Sequence, residues 1–299
     1  MKDKIIIPER LQNVIVKEKG YDIIVQLTKT RIEELIHNNR HYFFSEYTDH
    51  GIEHINQVLR KSDEIIPEHS ISLLDSKNVS ILVIAIFLHD IGMNFPLDSF
   101  NNLMSYDQIE LHSIDNKTWK DLWIEYINEA RKWDNFQKIN IVGQSLNIES
   151  LIKEDYSSNT INEYDKKFIG EFLRRHHPRL AHNIAINGLI TRNGFIKIID
   201  TEMLTSSLGG IELTHSFEEL CGLVARSHGM DLRFFEDFLP KHLDDENWMD
   251  FNGIKTIYLM SIIRIADYLL IDSKRISTSI YIQWFGKKSS NKYVKKINA

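Results

Sequence analysis

The sequence predicts an all-α, bundle-like fold, and three observations carry that prediction. Apolar residues recur at three- and four-residue spacing along most of the chain, the period of helices with one buried face. The most apolar run, Ile81 to Leu88, suits a buried helix and is far too short to cross a bilayer. The β signal is confined to 189–199, where Asn193-Gly194 lies between Ile190 and Phe195-Ile196 in the manner of a type I′ hairpin.

Residues 1–44 form a helical lead-in, mixed as far as residue 20 and then helical over 21–38. There Ile23, Ile24, Leu27, Ile32, Leu35 and Ile36 make a broad apolar face. Gly51 to Ile66 is a second helix, with Ile55, Val58, Leu59 and Ile66 on one side and Pro67 as its stop. Residues 77–91 are the most buried helix, and 94–98 a loop around Pro96. Residues 106–133 are amphipathic surface helix. The stretch 134–160 is polar and poorly periodic, an insertion in which disorder is expected. Helix returns over 161–177, with Phe168, Ile169, Phe172 and Leu173 inward, and again, past the hairpin, over 216–228 and 253–272. From Ser273 the chain turns basic and polar, through Lys287-Lys288-Ser289-Ser290, so 276–299 is a tail. The expectation is one domain over 45–275, with no linker and no internal repeat.

At 299 residues and 42% hydrophobic composition the chain can bury a sizeable core, which excludes global disorder. A formal net charge of −6 supplies no broad attraction to polynucleotides, so nucleic acid is not an expected partner, although a local basic pocket remains open. One cysteine, Cys221, excludes a disulfide framework and a multi-cysteine zinc site, and fits a reducing, cytoplasmic setting. The amino end lacks the apolar stretch of a signal peptide, and no membrane association is expected.

Candidate chemistry starts at His89-Asp90, at the end of the run Val83 to Leu88. An ionisable pair at the mouth of an apolar helix is costly to desolvate unless compensated, and a cation bound by imidazole and carboxylate compensates it. Upstream, His50 and His54 are four apart and share a face if helical, as metal ligands or as a solvated pair. Arg174-Arg175-His176-His177-Pro178-Arg179 is either a basic helix terminus or a cation- and phosphate-binding cluster. His228, before Gly229, is either a helix-capping residue or a ligand. Asp267, within Ile262 to Leu270, is either paired with Arg264 or part of the same cluster. Each piece is weak alone; the ordered series is much harder to explain as accident.

This series resembles the HD-domain superfamily of metal-dependent phosphohydrolases over roughly 45–275. Its pattern of a His, then His-Asp closing a buried helix, then a distant Asp matches His54, His89-Asp90 and Asp267. The resemblance implies an all-α fold in which these four residues hold one divalent ion. Two-metal members add histidines between, which implies His177 (or His176) and His228, with Asp90 bridging. His50 stands at the offset of the general acid of cyclic nucleotide phosphodiesterases, although Tyr47-Thr48-Asp49 before it differs from their pattern. The cyclic di-GMP subgroup is disfavoured: its Gly-Tyr-Pro signature is absent, and Met93 stands where a lysine is usual. Arg-Arg-His-His, Ser-His-Gly and Ala-Asp-Tyr-Leu-Leu-Ile-Asp are similar to an HD subgroup fused to Hsp90-type ATPase modules in bacterial conflict systems.

The resulting expectation is a phosphohydrolase acting on a phosphate ester or anhydride, most simply a nucleotide. One or two divalent ions sit at His54, His89, Asp90, His177, His228 and Asp267. Mn, Fe, Co, Ni or Zn suit so many imidazoles better than Mg. His50 donates the leaving-group proton, and Arg175, Arg179 and Arg226 clamp phosphate. The alternative is a non-catalytic module that senses a nucleotide or metal and signals to a partner, such as an ATPase module or a second copy. A nuclease is a weaker third reading. Asp49 and Glu53 are candidate orienting groups, better explained as a solvated acidic face. His112 is explained as well by a surface helix, Asp272 and Arg275 as an ion pair, and Gly209-Gly210 as a turn.

Overall fold

The computed structural model describes residues 3–39, 42–44, 50–105, 115–201, 215–231 and 253–270. Helices α1 (Glu9–Ile15) and α2 (Lys19–Asn39) form the lead-in, with Ile24, Val25, Ile32, Leu35 and Ile36 of α2 turned inward. In α3 (Ile52–Ile65), Ile52, Ile55, Val58 and Leu59 are buried, and His54 is buried with them. Ile66 is extended (φ −77°, ψ 112°) before Pro67, whose ring disfavours helical backbone in the residue ahead of it.

After the short α4 (Glu68–Ile71) comes α5 (Ser76–Leu88), started by Asp75, whose carboxylate accepts the Asn78 N–H at 2.8 Å. Every residue from Asn78 to Leu88 is buried. A helix apolar on all sides belongs at the centre, and α1, α2 and α3 pack around it together with later helices. Each fully buried Leu, Ile, Val or Phe there contributes roughly 1.5–3 kcal/mol of transfer free energy, so the axis on which the polar end of α5 is mounted is firmly held. The helix stops earlier than the periodicity suggests. His89 keeps helical dihedrals, Asp90 leaves them (φ −105°, ψ 10°), and Ile91–Asn94 tighten into a 3₁₀ turn.

Helices α6 (Leu97–Ser105), α7 (Trp119–Ala130) and α8 (Asn135–Val142) follow. Capping boxes start α7 (Thr118 with Asp121) and α8 (Asp134 with Gln137). The stretch 134–160, expected to be disordered, is folded. Val142, Ile148, Leu151 and Tyr156 are buried, and the Tyr156 hydroxyl donates to the Leu151 carbonyl. These anchors are too widely spaced to register as a period. Each nonetheless finds a slot, as Tyr156 does against Phe100 and Trp123.

Helix α9 (Glu163–Asn187) runs ten residues past the expected end at 177, straight through Pro178. The hairpin is present as antiparallel β1 (Leu189–Thr191) and β2 (Gly194–Ile196). Thr191 pairs with Gly194, so Arg192-Asn193 occupy the turn centre, one residue earlier than Asn193-Gly194 predicts. Helices α10 (His215–Ser227) and α11 (Thr256–Tyr268) complete the bundle. α10 lies against α9, α5 and α11, and α11 also against α3. Among the described residues the architecture is all-α apart from this hairpin. Among the described residues no helix is long and apolar enough to cross a membrane.

Candidate metal centre

Five elements deliver side chains to one buried point. His54 comes from the first turn of α3, His89 and Asp90 from the residues just past α5, and His177 from the middle of α9. His228 follows the last residue of α10, and Asp267 lies in the last turn of α11. Helices α5, α10 and α11 therefore aim their C-terminal ends at the cluster, where unsatisfied carbonyls and the helix dipole favour positive charge.

Asp90 is the centre. Its Oδ2 lies 2.6 Å from His50 Nδ1, 3.1 Å from His54 Nε2 and 3.2 Å from His89 Nε2. Its Oδ1 faces the other way, 3.2 Å from His177 Nε2 and 3.6 Å from His228 Nε2. Asp267 Oδ1 is 3.3 Å from His54 Nε2. Among the described residues three overlapping groups have ligand atoms close enough to share an ion: His50, His54 and Asp90; His54, His89 and Asp267; Asp90, His177 and His228.

The imidazoles are aimed by the backbone. His89, His177 and His228 each direct Nδ1 at the carbonyl three residues earlier: Ile86 at 2.8 Å, Arg174 at 2.6 Å and Ala225 at 2.6 Å. A carbonyl accepts only, so Nδ1 of each carries a proton and Nε2 points into the site, as a lone pair in the neutral ring and as a donor to Asp90 in the protonated ring. The Nε2 atoms face one another. His177 Nε2 and His228 Nε2 are 2.9 Å apart, and His54 Nε2 and His89 Nε2 3.1 Å. As bare lone pairs two ring nitrogens at that separation repel, and a shared proton or a metal ion between them relieves the repulsion. Ligands about 2.0–2.1 Å from a common ion stand roughly 2.9–3.4 Å apart, so the donor set fits divalent metal.

Charge follows the same pattern. Burial pushes the Asp90 carboxyl up, but His89 and His50 together with hydrogen bonds from His177 and His228 hold it well below the usual carboxylate range. Burial likewise opposes ionisation of Asp267, yet the His54 hydrogen bond and His89 bring it down to about 2. The His89 imidazole is raised: Asp90 beside it outweighs complete burial.

His177, and not its neighbour His176, faces Asp90. His176 lies between Phe172 and Trp119, and burial, helped by Arg179 and Arg175, lowers it to about 4. His50 precedes Gly51 and so stands outside α3. It meets His54 through its loop, anchored where Asn94 Nδ2 donates to the His50 carbonyl at 3.2 Å. Arg264 is the partner suggested for Asp267, but its guanidinium donates to the carbonyls of Ser227 and Met230, on either side of His228. Glu53 lies on the surface with Gln57 and Arg60.

The three arginines proposed for phosphate stand apart from the histidine cluster. Arg175 is paired with Glu129 and Glu171. Arg226 and Arg179 converge on Asp115. Asp49, His112, Gly209-Gly210, Asp272, Arg275 and the tail 276–299 lie outside the described residues.

Sequence reasoning missed Asp115, Asn94 and the packing role of two glycines. A Cβ on Gly92 would stand 3.0 Å from His177 Cβ, and one on Gly229 would stand 2.4 Å from Pro178 Cγ. Both glycines admit α9 to the site. The signal lay in Gly92 and Gly229 each falling within three residues of a candidate ligand.

Fold and site together define a helical, HD-type protein with a His/Asp cluster able to bind divalent metal. The HD-CE family model matches residues 44–282, and the chain belongs to that family. Comparison with curated proteins and with solved structures gives no match.

Proposed function

We propose that this chain is a divalent-metal-dependent phosphohydrolase acting on a phosphate ester or anhydride, with nucleotides as the substrate class. The observation that carries the proposal is the split of Asp90, with one oxygen toward His54 and His89 and the other toward His177 and His228. His54, His89 and Asp267, with Asp90 beside the first two, would hold one ion, and Asp90, His177 and His228 a second. The mixed imidazole and carboxylate set favours Mn, Fe, Co, Ni or Zn over Mg. Such ions acidify a bound water and neutralise phosphate charge when present. His50, partly exposed and hydrogen-bonded to Asp90, would carry the proton of a general acid to a leaving oxygen. Arg179 and Arg226 are the cations available for phosphate, because Arg175 is committed to two carboxylates. A reducing compartment, and service beside an ATPase module, are part of the same reading.

The test is metal analysis followed by assay. Metal-stripped protein reloaded with Mn is offered nucleoside mono-, di- and triphosphates and cyclic dinucleotides, and products are separated chromatographically. Turnover that disappears in Asp90→Ala supports the proposal. An inert wild type carrying two ions, or an Asp90→Ala variant as active as wild type, refutes it.

A further inference from the structure

Two buried guanidiniums share one carboxylate, on residues two positions along the chain from His177 and His228. Arg226 binds Asp115 through both nitrogens, Nη1 to Oδ2 at 2.8 Å and Nη2 to Oδ1 at 2.7 Å. That pairing uses both oxygens of Asp115. Arg179 is left with poorer compensation: its buried Nε lies 3.3 Å from Asp115 Oδ1 without hydrogen-bond geometry. Nη2 of Arg179 donates to the Lys117 carbonyl at 2.6 Å, and the guanidinium lies 4.8 Å above the Trp119 ring. Both arginine side chains are about nine-tenths buried.

The neighbouring arginines make the contrast. Arg174 and Arg175 are matched by Glu171 and Glu129, two cations against two carboxylates. Among the described residues Arg179 and Arg226 have Asp115 alone, two cations against one carboxylate in a poorly solvated place. Burying an unmatched charge costs several kcal/mol, and structures tolerate it where an anion is to be bound. The position is also specific. Arg179 follows His177 by two residues on α9, and Arg226 precedes His228 by two at the end of α10. Residues two apart on a helix leave it in nearly opposite directions, so Arg179 is separate from the ligand His177 and shares the Trp119 ring with His176.

We propose that Arg179 and Arg226 form a phosphate seat between α9 and α10, closed in this structure by the Asp115 carboxylate, which a phosphate group displaces. A phosphate carries more charge and more acceptor oxygens than a carboxylate, so it can serve both guanidiniums in full where Asp115 serves one. The seat itself stands without the hydrolytic reading. Its assignment to a second, non-reacting phosphate of the substrate rests on that reading, and it makes substrates with a phosphate chain the preferred class over monophosphates.

The experiment uses full-length protein stripped of metal and kept in EDTA, so that metal-bound phosphate contributes nothing. Melting temperature is followed against pyrophosphate at constant ionic strength. Asp115→Asn is expected to be less stable than wild type without the anion and to bind pyrophosphate about tenfold more tightly, a difference of about 1.4 kcal/mol. Arg179→Met keeps one cation against one carboxylate and should fold. It is expected to lose the pyrophosphate response that wild type shows, while Arg131→Met, a surface control, keeps it. Equal responses in wild type and Arg179→Met overturn the seat, whether or not Asp115→Asn folds. An Asp115→Asn protein that folds with no gain in affinity also overturns it.

Metal-loaded protein then separates the two sources of the phosphate. A lower KM in Asp115→Asn for a triphosphate but not for a monophosphate assigns the seat to the substrate. A change in monophosphate turnover on adding inorganic phosphate assigns it to a separate effector. Absence of any turnover defeats the hydrolytic reading and leaves the melting result to decide the seat.

Discussion

Pro178 and His177 are linked through one carbonyl. In an uninterrupted helix the Arg174 carbonyl accepts the N–H of residue 178, but proline has none. His177 Nδ1 takes that carbonyl instead, at 2.6 Å, which turns Nε2 toward Asp90 and His228. His89 and His228 reach the same arrangement by another route, each standing where its helix ends: His89 Nδ1 meets the Ile86 carbonyl, and the Ala225 carbonyl meets both the His228 N–H, at 3.4 Å, and its Nδ1. Pro178 thus acts as a local helix end inside a continuous helix.

Pro178→Ala should restore a competing N–H at Arg174. Removing an interior proline stabilises a helix by up to about 3 kcal/mol, whereas loss of an orienting partner lowers metal affinity about 10–100-fold. The two effects have opposite signs. Unfolding of the metal-free variant and a metal titration together check the prediction, and a variant that binds metal as tightly as wild type would contradict it.

The two halves of the cluster should be separable by substitution. Asp267→Asn removes a carboxylate from the group of His54 and His89 only, so about one ion per chain should be lost. Asp90→Asn weakens both groups, so both ions should be lost. Elemental analysis after dialysis gives the stoichiometry, and equal losses in the two variants would argue against a divided site.

Gly92→Ala places a methyl group 3.0 Å from His177 Cβ, closer than packed atoms tolerate. The 3₁₀ turn and α9 must separate by a few tenths of an ångström, at a cost of about 1–3 kcal/mol. Denaturant unfolding should report that loss. Metal affinity should fall with it, because Asp90 and His177 sit on the two sides of the contact.

Glu171 predicts a pH dependence. Burial raises its carboxyl, but hydrogen bonds from Arg174 and Arg175 hold it below the ordinary value. A depressed carboxyl contributes stability that is fully present above its unfolded pKa and is lost as pH falls through the folded one. Glu171→Gln should therefore cost about 1.5–3 kcal/mol near neutrality. The gap from wild type should shrink as pH falls below the normal glutamate range. Urea unfolding at a series of pH values measures it, and a gap constant with pH would show that the charge is not the source.

His50→Gln tests the proton-transfer role. With metal content unchanged, kcat should fall about 10²–10⁴-fold, the range of general acid catalysis. A fall in bound metal of the same size would instead make His50 a ligand, as its place in the group with His54 and Asp90 also permits.

Much of this protein is legible along the chain. The helical period, the apolar axis of α5 and the hairpin at 189–199 all follow from local patterning, because a buried helix face and a tight turn are written within a dozen residues. The order His54, His89-Asp90, His177, His228, Asp267 is legible too, because an ionisable group set in an apolar run demands compensation. Other features are not local. Pro178 reads as a stop, yet α9 continues, since packing of α9 against α10 outweighs one missing hydrogen bond. The folding of 134–160 depends on slots built by distant aromatic side chains.

By itself the sequence determined the helical class and which imidazoles and carboxylates were candidates, since burial and desolvation act on each residue where it stands. Only the tertiary structure decided that His177 rather than His176 looks at Asp90, and that Asp90 divides its oxygens between two histidine pairs. It also decided that Arg179 and Arg226 close on Asp115. Those outcomes depend on how helix ends far apart in the chain meet, and the close approach of α9, set by Gly92 and Gly229, is a property of packing in three dimensions.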